Sequence, residues 1–241
     1  MITQRSVLLL LFLSSGYAYA ECADDYKIIA RDLYSEGRVQ QYEPVCKVWP
    51  STGLMIMATA LDSEQGIDIG LALIDPKSKI VVVSRREVDM LSGTAIYNTG
   101  IAIDTADYRI NGRDTAFGIR TSWQGSSKPN PYNSESLNLY ILRDDKLQKI
   151  LDDLNVYEYS GEWDTHCEGV FVDRKRILIM APTSKSTNMI LIKEEETREQ
   201  STPTSNGCET LKHWQPLKTH IINFVKGGYK VNDSLRSSAQ R

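Results

Sequence analysis

From Leu54 onward the apolar positions of this chain fall into short blocks separated by turn-forming residues. Residues 54–61, 67–75 and 80–85 are apolar or β-branched, and Asp62-Ser63-Glu64-Gln65-Gly66 and Asp75-Pro76-Lys77-Ser78 interrupt them. Consecutive blocks of this kind predict an antiparallel meander. The pattern resumes at 95–103, 116–123, 137–143, 147–151, 156–159, 169–172, 177–180 and 189–193. No strand block alternates with a helical period, so nothing calls for a parallel sheet. The expected fold is therefore mainly β, an antiparallel meander forming a sandwich or barrel-like sheet over residues 47–231. The exception lies at 24–37, where Tyr26, Ile29, Ala30 and Leu33 recur at helical spacing and Gly37 is placed to end the run. This predicts a short N-terminal helix within a segment 21–46. Two stretches have little to bury. Residues 194–206 begin Glu194-Glu195-Glu196 and continue in Ser, Thr and Pro, which predicts a mobile loop, and 232–241 are expected to form a disordered tail.

The first residues have a different pattern. Arg5 precedes an apolar run from Val7 to Leu13, and Ala18-Tyr19-Ala20 offers a small-residue exit before Glu21, the layout of a secretory signal peptide over 1–20. The run is far shorter than the roughly 20 residues that span a bilayer. All four cysteines lie beyond it, at Cys22, Cys46, Cys167 and Cys208. An even count in an exported chain points to disulfides, and of the three possible connectivities the nearest-neighbour one, Cys22 with Cys46 and Cys167 with Cys208, is expected. The expected location is the periplasm.

The net charge of −3, with acidic and basic residues mixed along the chain, argues against nucleic acid or an anionic membrane surface as the main partner. Nucleophile-elbow, phosphate-loop and His-Glu-x-x-His signatures are missing, and no cofactor is expected. Reactive side chains are densest at 161–169, where Asp164, His166 and Glu168 would share one face if the segment were extended and could serve a metal-assisted hydrolase. The plainer expectation is that Trp163 packs, Cys167 bridges and the charges face solvent. His166, His213 and His220 match no zinc-ligand spacing. Asp104 and Asp107 sit at the end of an apolar block, where Asx-turn capping is expected.

The best binding candidate is 123–135, about a dozen polar, Pro- and Gly-containing residues between two strand blocks. Trp123 and Tyr132 would be its aromatic anchors, with Lys128 and Asn130 beside them. The competing expectation has Trp123 turned into the core. A glycan or small-molecule binder stacking rings on Trp49, Trp123 or Trp163 is a further class.

The motifs CKVWP (46–50), DTADYRI (104–110), AFGIR (116–120), NPY (130–132), GEWD (161–164) and CEG (167–169) together resemble a group of exported, uncharacterised proteins of Gram-negative bacteria, over about residues 46–193. The resemblance implies a periplasmic home and brings no activity or site residue. The expectation is a periplasmic protein-binding module whose partner is another envelope or secreted protein, as for an inhibitor or immunity protein against a cell-envelope hydrolase or toxin.

Overall fold

The computed structural model describes residues 22–34, 38–39, 43–64, 66–91, 95–184 and 186–236. The expected signal segment, Gly37 and residues 237–241 lie outside them. Among the described residues no helix is long and apolar enough to cross a membrane.

After helix α1 (Asp24–Leu33), a first sheet is formed by β1 (Arg38–Val39), β2 (Val45–Val48), β3 (Met55–Ser63), β4 (Gly66–Ile74) and β5 (Val81–Glu87). β1 and β2 share one edge of β3, and β4 and β5 follow on the other side. The second sheet runs through β6 (Ile96–Arg109), β7 (Thr115–Gly125), β8 (Tyr132–Arg143), β9 (Lys146–Trp163), β10 (Gly169–Ala181), β11 (Met189–Thr204) and β12 (Gly207–Trp214) in chain order. β13 (Lys218–Ile222) continues along β11, and β14 (Phe224–Val225) and β15 (Gly228–Tyr229) close against β9. All pairings are antiparallel except β15 on β9, at Tyr229 and Leu151. The fold is mainly β, as expected, and forms no closed barrel.

The two sheets stack face to face. Ile56, Ala58 and Ala60 of β3 and Ile69, Leu71 and Leu73 of β4 share one buried cluster with Phe117, Ile119 and Trp123 of β7 and Tyr140 of β8. The alternate residues Met57, Ala72 and Ile74 pack outward against Tyr26 and Ala30 of α1. Both faces of these strands are thus covered, which is why they read as unbroken apolar blocks. Tyr34 completes this layer. Its ring lies over Gly70, where a Cβ would stand 2.6 Å from Cε2, and its hydroxyl donates to the Leu71 carbonyl at 2.8 Å.

β8 is likewise buried on both sides. Its Leu137, Leu139 and Ile141 belong to another cluster, with Leu151 and Leu154 of β9, Ile190 and Ile192 of β11, and Ile222 of β13. The expected pairing of cysteines is present: Cys22–Cys46 ties the helix to β2, and Cys167–Cys208 ties the β9–β10 turn to β12.

Several expectations need correction. The blocks 147–151 and 156–159 are one 18-residue strand, β9, and 169–172 and 177–180 are one 13-residue strand, β10. Residues 194–206 are not a loop: β11 continues through Thr204 before turning into β12. The reason is that Glu194 and Glu196 are buried, at 4% and 3% exposure, against arginines of β10. The tail is ordered over its described part, where a 3-10 turn, Asp233–Leu235, sinks Leu235 beside Tyr229 and Val231.

Candidate functional site

The expected binding loop is mostly strand. β7 runs through Gly125 and β8 begins at Tyr132, so only 126–131 form the connection. Trp123 is 2% exposed and lies between the sheets, its indole Nε1–H donating to Thr121 Oγ1 at 3.2 Å. The expectation that Trp123 anchors a partner is therefore overturned: its odd-numbered position in β7 puts it on the face with Phe117 and Ile119. Tyr132 is half-buried, with its hydroxyl 3.5 Å from the Glu158 carboxylate.

The short loop is held from both sides. Ser126 N–H reaches the Ala95 carbonyl at 3.3 Å, Gly161 N–H the Pro131 carbonyl at 3.0 Å and Trp163 N–H the Pro129 carbonyl at 2.9 Å. The Trp163 indole N–H donates to the Lys128 carbonyl at 2.7 Å, and Asn130 N–H to Ser127 Oγ at 3.2 Å. Lys128 and Asn130 are exposed, Lys128 contributing its main chain to this frame.

Two open furrows flank the loop. The first, of about 490 Å³, lies among Ile96, Ser127, Tyr132, Ser160 and Val172. The second, of about 570 Å³, runs past Trp163, Asp164, Glu168, Gln200 and Ser201. Asn130, Glu162 and Val170 line both, so the two furrows adjoin. Their floor is the end of the β9–β10 ladder, with Val170 opposite Glu162 and Val172 opposite Ser160. Sequence reading found Asn130 and Tyr132 and missed Ser160, Glu162, Val170 and Val172. The available signal was period two: these residues share parity along each strand once the register is known.

The D-x-H-x-E face does not form, because the segment is a turn. Asp164 Oδ1 accepts the backbone N–H groups of His166, Cys167 and Glu168 at 2.8, 2.8 and 3.0 Å. These donors, His166 N–H first, hold the Asp164 carboxyl below the usual carboxylate range. Thr165 takes φ +66° to make the reversal. Among the described residues no three His, Cys, Asp or Glu side chains gather as a metal site. His213 is exposed, and His220 is half-buried with Nε2 3.5 Å from Glu194. Trp49 is buried edge-on to Phe117 at 5.0 Å, so neither it nor Trp123 offers a face for ring stacking.

Asp104 does cap its own turn, accepting Ala106 N–H at 2.9 Å. Its second oxygen has partners that spacing could not show, the Tyr108 hydroxyl at 2.6 Å and Arg120 at 2.6 and 2.8 Å. Burial raises its pKa, but Arg120, Tyr108 and the Ala106 N–H outweigh it and hold the carboxyl below its ordinary value. Asp107 is exposed and pairs with Arg109 at 3.2 Å.

Below the furrow runs a ladder of charges. Arg174 meets Glu158 and Glu196 at 3.0 Å each, and Arg198 meets Glu196 at 2.9 Å. Arg176 meets Glu194 at 2.7 Å and the Asn155 carbonyl at 2.9 Å, and Lys218 approaches Glu194 at 3.4 Å. Burial raises the pKa of Glu196, but Arg198 and Arg174 pull it down to about 2. The ladder fixes the relative position of β9, β10 and β11, and with it the furrow floor.

No family model, no curated protein and no solved structure matches the chain.

Proposed function

We propose that this is a periplasmic protein-binding module that receives an extended segment of a partner protein in the furrow beside the 126–131 loop, as an inhibitor or immunity protein of a cell-envelope hydrolase or toxin would. The observation that carries this reading is that the two furrows adjoin at Asn130, Glu162 and Val170. Two adjoining open furrows suit a strand or loop of another protein better than a compact small molecule, which needs enclosure on most sides. The loop is already hydrogen-bonded into place, so little ordering entropy opposes binding. Val170 and Val172 supply apolar surface, while Asn130, Glu162, Gln200 and Ser201 supply polar groups at the rim. Export through a signal at 1–20, two disulfides and the resemblance to exported proteins support the periplasmic setting.

A photocrosslinking residue at Ser127 tests the reading in periplasm, with one at Val82, on the far edge strand β5, as control. The expected result is one discrete protein adduct from Ser127 that Val82 does not give. With that partner purified, Val170→Lys, whose charge would stand opposite Glu162, should weaken binding by about 1–3 kcal/mol, the range for an interface anchor, without lowering the melting temperature. Equal adducts from both positions, or unchanged affinity in Val170→Lys, would reject the furrow as the interface.

A further inference from the structure

β12 is an open edge of the second sheet. All eight of its residues are exposed, it pairs with β11 on one side, and among the described residues nothing pairs with its other side. Such an edge presents free N–H and C=O groups to any strand that fits it. Gln215, just after β12, donates its N–H to Glu196 of β11 at 2.9 Å, and the register is continuous back to Gly207. By strand alternation, the backbone groups of Cys208, Thr210, Lys212 and Trp214 therefore point away from β11. Trp214 and Leu211 leave 73% and 52% of their surface in water, one on each face of the strand.

The distribution of charge along β12 selects what fits. In an antiparallel pair of two identical strands the two-fold axis stands perpendicular to the sheet. Every side chain then keeps its face, and opposed residues have equal parity. Centring the axis on Glu209 or on Lys212 sets like charges directly opposite each other, which is destabilising. Centring it on Thr210 sets Glu209 against Leu211. Centring it on Leu211 brings the two Leu211 side chains together and sets each Glu209 against the partner's His213. On the other face Thr210 meets the partner's Lys212, whose charge Glu199 of its own β11 already balances at 2.7 Å, and the Cys208 sulfur meets the indole of the partner's Trp214. The outward backbone groups become the hydrogen-bonded pairs, Cys208 with the partner's Trp214 and Thr210 with the partner's Lys212.

We propose that two copies of this protein associate through β12, antiparallel and centred on Leu211, continuing the second sheet across the dimer. The contact is one strand long and falls below the roughly 1,000 Å² typical of stable complexes, so the dimer is weak and concentration-dependent. This inference is independent of the furrow, whose crosslinking test it leaves unchanged.

In this register Leu211 is a non-hydrogen-bonded pair on the axis, with Cα atoms about 4.5 Å apart, within reach of a disulfide. Oxidation of the purified Leu211→Cys protein should give a covalent dimer, and Thr210→Cys should not. Sedimentation velocity should show the wild-type mass doubling as concentration rises. Glu209→His and His213→Glu should each shift the dimer midpoint upward, His213→Glu by roughly three- to tenfold because it opposes two pairs of carboxylates. The double exchange should recover most of the loss. All variants should melt with the wild type at dilute concentration, since β12 keeps its bonds to β11. A wild type that stays monomeric, a Thr210→Cys protein that crosslinks as readily as Leu211→Cys, or a double exchange that recovers nothing would overturn the proposal.

Discussion

The two halves of this molecule are buried by different means. In the first sheet and the strands facing it, both surfaces of β3 and β4 are mostly apolar, and helix and sheet close over them, Asp68 paired with Arg86 near the start of β4 being a buried exception. In the far part of the second sheet, β10 and β11 cross a region where Arg174, Arg176, Glu194 and Glu196 replace the aliphatic side chains. The first half is held by area removed from water, which is non-directional and tolerant of small shifts. The second depends on pairing: each buried charge is stable only while its partner is in place. A strand full of Glu and Arg can therefore be as deeply placed as one full of Leu, provided the neighbouring strand supplies the complement.

That contrast can be broken most forcefully at the sandwich centre. Trp123→Ala removes a large side chain from the interface between the sheets and should destabilise the protein by about 3–5 kcal/mol, read by denaturant unfolding. A loss under about 1 kcal/mol would mean that the indole does not pack there. The matching experiment in the other half is Arg176→Leu, which takes from Glu194 its buried partner, leaving it the more exposed Lys218, and takes a donor from the Asn155 carbonyl. It should cost about 3 kcal/mol, while Arg176→Leu with Glu194→Leu should recover much of that, because the buried carboxylate that lost its guanidinium is then gone too. If single and double variants lose equally, the ladder acts through packing and the contrast between the halves fails.

A gentler test uses acid. The folded-state pKa values of Glu194 and Glu196 lie below 4.5, that of Glu196 at about 2. A depressed carboxyl contributes stability that is fully present above its unfolded value and is lost as pH falls through its folded value. Between about pH 4.5 and 2 the wild-type melting temperature should fall, and Glu196→Gln should fall less steeply over the same range. Asp104, Asp114 and Asp152 are also lowered, so the difference between the two curves is the measurement. Parallel curves would show that Glu196 gains nothing from its arginines.

The sequence by itself determined much of the apolar half. Apolar blocks, turn residues and the stripe of α1 follow from local chemistry, so the antiparallel class and the short helix were legible. The cysteine count narrowed the disulfides to a few pairings, and nearest neighbours proved correct. The furrow was legible only at Asn130 and Tyr132, because a polar, Pro-containing connection marks itself while a floor made of alternate residues on two strands does not. Trp123 was ambiguous for the same reason: an aromatic beside a loop can face either way, and one step of strand register decides which. Only the tertiary structure decided the rest. Whether Glu194-Glu195-Glu196 is solvated or buried depends on Arg174 and Arg176 lying directly across the ladder, a relation set by strand pairing between residues about 20 apart. Whether Asp164, His166 and Glu168 share a face depends on the backbone reversing at Thr165, where the Asp164 carboxylate binds its own turn. Propensity and periodicity describe one strand at a time, whereas burial of a charge and the shape of a furrow are properties of neighbours.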